Sequence, residues 1–101
     1  MNWQVGTFGR ANKVATTLSI AEDALRRANL EVVWNAQQGG NIVIGRSAAV
    51  IVAVSVAAVM TGVSFIHATA VAVTATSKDG GPAEQMRNHV RQLIQQSTVV
   101  D

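Results

Sequence analysis

The chain contains no cysteine and no tyrosine, and its only proline is Pro82. Without cysteine, disulfide bridges, thiolate zinc sites and a cysteine nucleophile are all excluded. With only two tryptophans and two phenylalanines, the chain also offers little aromatic surface on which nucleic-acid bases could stack. Its eight lysines and arginines are spread along the whole chain, whereas a phosphate-binding surface needs cations clustered on one face. We therefore expect no nucleic-acid partner.

Formal charge is absent from the central run Ser47 to Ser77, in which His67 is the only titratable residue. About 20 apolar residues suffice to cross a bilayer as a helix, so residues 48–66 are a candidate membrane span. However, the run contains no leucine, and valine recurs at every second position from Val50 to Val56. Period-two alternation of β-branched residues is typical of strands. We therefore expect two long antiparallel strands that reverse at Gly62, and no membrane partner.

Two amphipathic helices flank this run. The first is expected over residues 12–29, with Asn12 as its N-cap and with an apolar stripe at helical spacing. The second is expected over residues 82–95, because proline is well placed in the first turn of a helix. The predicted apolar positions are Val14, Leu18, Ala21, Leu25 and Ala28 in the first helix, and Met86, Val90, Leu93 and Ile94 in the second.

The segment between the first helix and the long strands predicts one or two further strands. Leu30 to Ala36 is typical of a strand, and Ile42 to Ile44 forms another after a glycine-rich turn. Gly45 to Ser47 then either reverses the chain or makes a bulge in a continuous strand. The sheet therefore has four strands in the first case and three in the second.

Together these elements predict a single α+β domain over residues 1–101. It consists of an N-terminal arm (1–10), a helix, an antiparallel meander of three to four strands (30–77) and a C-terminal helix, with both helices on one face of the sheet. We expect the valines of the first long strand to face the helices, together with Val63, Phe65, Val71 and Val73 of the second.

The layout resembles small bacterial α+β orphan domains that occur as stand-alone reading frames, including in mobile gene cassettes. The resemblance is carried by the Gly39-Gly40-Asn41 turn, the Gly45-Arg46 break and the helix led by Gly81-Pro82-Ala83-Glu84. It implies a fold and a bacterial source, and it assigns no catalytic residue.

Phosphate-binding loops, dinucleotide fingerprints and nucleophile elbows are absent from the sequence, and no histidines and acids have metal-ligand spacing on one predicted element. We therefore predict no catalytic residue, no metal and no cofactor. His67 and Trp34 are the ligand-binding candidates, because a histidine in a cleft between sheet and helices could act as a base or hold a ligand.

The sheet face turned away from the helices carries no charge, which favours self-association. We predict a non-catalytic, soluble interaction module that forms a homodimer or binds another protein. The alternatives are a ligand-binding protein or enzyme with a pocket at His67, and a single-span membrane protein. The N-terminus lacks the features of a secretory signal, so a cytoplasmic location is expected. The predicted interface residues are Ala53, Ser55, Ile66, Ala68, Ala70 and Ala72.

Two points about this interface stay open at the level of sequence. The two copies could meet through their sheet faces or through an edge strand. Alternatively, the N-terminal arm could fold over the uncharged face and leave a monomer.

Overall fold

The computed structural model describes residues 3–73 and 81–101. Within these residues the protein is α+β and has five strands and two α-helices. In chain order these are β1 (Trp3–Arg10), α1 (Val14–Arg27), β2 (Glu31–Trp34), β3 (Ile42–Arg46), β4 (Val50–Met60), β5 (Val63–Ala72) and α2 (Gly81–Gln96), with a short 3₁₀ helix at Ala36–Gln38 between β2 and β3. The predicted stretch of sheet at 74–77 lies outside the described residues.

The strands form one antiparallel sheet in the order β1-β5-β4-β3-β2. The predicted meander corresponds to β2 through β5, and the alternative of a bulge at Gly45 to Ser47 is wrong. The chain reverses there because the Ser47 amide donates to the Val50 carbonyl at 2.8 Å. The Ser47 hydroxyl oxygen also accepts from the amides of Ala49 and Val50, each at 3.2 Å. These bonds satisfy the backbone of the turn between β3 and β4.

The N-terminal segment is a strand, so the prediction of an arm is wrong. β1 pairs with β5 from Trp3 opposite Val71 to Arg10 opposite Ser64. Its glycines give the segment a low intrinsic strand propensity. It is nevertheless a strand because its backbone pairs with that of the neighbouring strand β5. Phe8 packs against the core, and the Arg91 guanidinium of α2 lies 5.2 Å from the centre of its ring. The segment extends the sheet at its edge and does not fold over its face.

The face prediction is confirmed for β4 and wrong for β5. The buried residues of both strands are the even-numbered ones. Next to the hairpin turn, Met60 pairs with Val63, so an even-numbered residue of β4 is opposite an odd-numbered residue of β5. A bulge between Ala58 and Met60 changes this register. From Ala58, which pairs with Ser64, even-numbered residues of the two strands are opposite each other. The extra residue in β4 reverses the side on which every residue of β5 lies. Val63, Phe65, Val71 and Val73 therefore do not belong to the core.

Both helices pack on the sheet, and their predicted apolar stripes are confirmed. Leu18, Leu25, Val90 and Ile94 belong to one buried cluster with the even-numbered residues of β4 and β5. α1 approaches the sheet closely at Gly45, where an added Cβ atom would lie 3.3 Å from the Cβ of Leu25 in α1 and 3.0 Å from that of Leu30. A side chain at this position would force these neighbours to shift. We call this side of the sheet the covered face.

Candidate interaction surface

The opposite side of the sheet, which we call the open face, carries the odd-numbered residues of β4 and β5. No element among the described residues packs against it. Ile51, Phe65 and Val73 remain 41%, 51% and 50% exposed there. The strand register aligns side chains in cross-strand rows, and the two central rows are Ile42, Ser55 and His67, and Ile44, Ala53 and Thr69.

The centre of the open face contains a shallow depression of about 280 Å³. Ile44, Ile51, Ala53, Thr69 and Val71 line it. It exists because Ala53 is shorter than the side chains of its neighbours Ile44 and Thr69, which pair with it on either side. A depression lined almost wholly by apolar atoms is suited to an apolar side chain and offers little to orient a polar ligand.

Phe65 is a half-exposed aromatic side chain on the open face, and it lies toward the hairpin end of β5. It pairs with Gly9 of β1. Its ring carbons lie 3.5 Å from the position that a Cβ atom would take at Gly9. One side of the ring is therefore supported by the backbone of β1, while half of the side chain stays in contact with solvent.

Among the described residues, the formal charges on the open face lie at the corner formed by β2 and β3. Glu31 of β2 pairs with Arg46 of β3, and their side chains form an ion pair at 3.8 Å. Both side chains are largely exposed, so this pair contributes little to stability. In β3, β4 and β5 the interior of the face carries apolar residues together with Ser55, Thr69 and His67.

The predicted ligand site at His67 and Trp34 is not assembled. His67 is exposed on the open face, so the predicted cleft between sheet and helices does not contain it. Trp34 lies on β2, separated from β5 by β3 and β4, and its indole N–H donates to the Gly39 carbonyl at 3.0 Å. The two side chains therefore cannot hold one small ligand between them.

The predicted interface residues divide between the two faces. Ala53 and Ser55 lie on the open face, and their role in an interface stays a prediction. Ile66, Ala68, Ala70 and Ala72 lie in the core, where Ala70 is 0% exposed, so they cannot belong to a surface. The β4 bulge is the physical reason for this correction. Phe65, Thr69 and Val71 occupy the corresponding surface positions, which the sequence interpretation missed.

A polar cluster, the C-terminal clasp, lies on the covered side around Arg10, Asn12 and Asp101. The Arg10 guanidinium donates to the carbonyls of Ile94, Ser97 and Val99 at 2.9, 2.7 and 3.1 Å, and also to the Asn12 side chain. This fixes residues 94–99 against the end of β1. Since the guanidinium donates its hydrogen bonds to carbonyls of this chain, we interpret the cluster as structural: it holds the C-terminal segment against the sheet.

The predicted N-cap at Asn12 is wrong. α1 begins at Val14 with Lys13 at the cap position. The Asn12 amide instead donates to the Val99 carbonyl, and Asp101 accepts the Lys13 amide at 3.0 Å. A hydrogen bond from the Thr16 side chain, with that from the Lys13 backbone, lowers the pKa of Asp101. The Asp101 carboxylate thus lies at the helix N-terminus, where negative charge is favourable.

Residues 3–73 and 81–101 contain no group of three potential metal ligands among histidine and acidic side chains. No helix in these ranges is long and apolar enough to cross a membrane. No protein-family model, curated protein or solved structure matches the chain. The bacterial source and the cytoplasmic location stay predictions.

Proposed function

We propose that the protein is a non-catalytic interaction module that forms a homodimer through the open face of its sheet. The observation that carries the proposal is the contiguous uncharged surface around Ala53, which no described element covers. An antiparallel sheet with one side in water normally alternates apolar with strongly polar residues, and this sheet does not. Its open face has the composition of a buried surface.

The area of the open face matches the requirement of a small dimer. Five strands about 4.8 Å apart, with about eight residues rising about 3.3 Å each in the longer ones, give on the order of 500 Å² in projection. Two copies would therefore bury on the order of 1,000 Å², which is the lower limit of specific interfaces. The face is therefore large enough for a small specific interface.

A second copy suits the face better than a different protein does. Within residues 3–73 and 81–101, the charged groups on this face that could select a particular partner lie at the Glu31–Arg46 corner. An uncharged, apolar surface is complementary to itself, and a twofold copy is the commonest way in which such a surface is covered. The homodimer is therefore the preferred form of the module.

The test is the mass in solution of Ala53→Arg, measured by light scattering across micromolar concentrations. Arginine at the centre of the face would bring an unpaired charge into the interface, so we expect a folded monomer where the wild type is a dimer. Ala15→Arg is the matched control, because Ala15 is exposed on α1, away from the sheet. It should remain a dimer.

Two results would contradict the proposal. A wild-type protein with the mass of a monomer at all these concentrations would remove self-association. A dimer that persists in Ala53→Arg would show that the copies meet through another surface, since the substitution lies at the middle of the open face.

A further inference from the structure

We infer that the dimer, which rests on the proposed function, is a sandwich of two sheets in which Phe65 of each copy packs into the depression at Ala53 of the other copy. The depression is lined almost wholly by apolar atoms, and Phe65 is a half-exposed aromatic ring on the same face, so one feature is concave and the other convex. Both belong to every copy, so one symmetric contact can match them twice.

Pairing through the faces is favoured over pairing through an edge, because edge pairing would leave the apolar face in water. The edge strand β2 is also short, carries the charged Glu31, and is interrupted by an irregularity between Val32 and Trp34. These are features that hinder the addition of another strand. A sandwich removes both open faces from water at once.

The register on β5 sets the geometry of the contact. Phe65 and Thr69 are four residues apart on one strand, which places the ring about 13 Å from the edge of the depression. A twofold axis that lies in the plane of the interface and passes beside His67, midway between these positions, brings each ring over the other copy's depression. Such an isologous arrangement makes the same contact twice.

The support under Phe65 suits this role. Its ring rests against the Gly9 backbone, so its orientation is restricted before the copies meet. An aromatic side chain that is already ordered loses little conformational entropy on binding, and a half-exposed phenylalanine has a large area left to bury. Phe65 is therefore expected to be the main energetic contact of the dimer.

The first experiment compares two substitutions with opposite effects on side-chain volume. Phe65→Ala removes the ring and should weaken dimerisation by at least about 10-fold in Kd. Ala53→Ile fills the depression and should also weaken the dimer, although it makes the face more apolar. Val100→Ala, at an exposed position in the C-terminal tail away from the open face, is the control and should leave Kd unchanged. Sedimentation equilibrium measures all three.

Ala53→Ile distinguishes packing of Phe65 into the depression from non-specific hydrophobic association of the two faces. A tighter dimer in Ala53→Ile, or an unchanged Kd in Phe65→Ala, would overturn the packing while leaving the homodimer itself intact. A monomeric wild type would overturn both the packing and the proposed function. A cooperative thermal transition in each variant confirms that the chain still folds.

A photo-crosslinking experiment locates the contact directly. Benzoylphenylalanine in place of Phe65 keeps an aromatic side chain, and mixing ¹⁴N- and ¹⁵N-labelled protein separates links between copies from links within one. We expect links from position 65 to peptides that contain Ala53 or Thr69 of the other copy. Links to β2, or from position 65 to position 65, would contradict the inference.

Discussion

The two faces of the sheet are built from alternate residues of the same strands, yet their surroundings differ completely. On β5, Ala70 is buried beneath the helices, while its neighbour Thr69 lies on the open face. Both faces are uncharged over most of their area, so composition alone does not distinguish the core from the surface. The difference shows that an uncharged strand can place apolar residues on both faces of a sheet, and that the described part of the chain covers one of them.

The largest contrast between the faces is expected from one substitution made at two adjacent positions. Ala70→Arg would place a guanidinium in the core without a partner, and should cost more than about 4 kcal/mol and abolish cooperative folding. Thr69→Arg should retain a cooperative thermal transition and lose only the dimer. Circular dichroism during heating measures both variants. If the two unfold alike, the assignment of the faces is wrong.

A smaller contrast is expected from removal of apolar side chains. Leu25 is 0% exposed beneath the sheet, so Leu25→Ala should lower the free energy of unfolding by about 2 to 5 kcal/mol. Ile51, 41% exposed on the open face, already contacts water, and Ile51→Ala should cost the monomer under about 1 kcal/mol. Urea denaturation of dilute protein gives both values. Equal losses would mean that the open face is covered within one chain.

The smallest effect is expected at Asp101, on the covered side of the sheet. Its carboxylate accepts a hydrogen bond from the Lys13 backbone amide at the start of α1. Because the folded state lowers the pKa of Asp101, its contribution is present above the ordinary value of 3.8 and is lost as the pH falls through the folded value. Asp101→Asn should therefore be less stable than the wild type at pH 7, and the difference should shrink below about pH 4. Thermal melting across pH gives this difference. A pH-independent difference would contradict the role of the carboxylate.

Much of the architecture followed from local patterns. The apolar stripes of α1 and α2 depend on a period of 3.6 residues within one segment, so Leu25 and Ile94 could be assigned to the core before any tertiary structure was known. Strand β1 could not be recognised with the same certainty. Its glycines remove the alternation, and it becomes a strand through its pairing with β5, more than 50 residues away.

The candidate surface was predicted only in part, for the same physical reason. That one sheet face would be left uncharged and uncovered followed from the sequence, and Ala53 and Ser55 were assigned to it. Which residues of β5 lie on this face depended on the register between β4 and β5. A single bulged residue in β4 shifts this register by one residue. This shift in register is the reason that His67 lies on the open face and not in the predicted cleft between sheet and helices.

The sequence by itself determined that this chain makes amphipathic helices that flank long uncharged strands. The spacing of apolar residues, about 3.6 residues in a helix and two in a strand, can be recognised within a single segment. Tertiary structure alone decided which side of β5 is covered, because no residue of β5 is charged and either side could face the helices. The bulge before Met60 selects the side with Ser64, Ile66, Ala68, Ala70 and Ala72. Most of these side chains are small enough to lie beneath the helices, whereas Phe65 and Val71 are left on the surface.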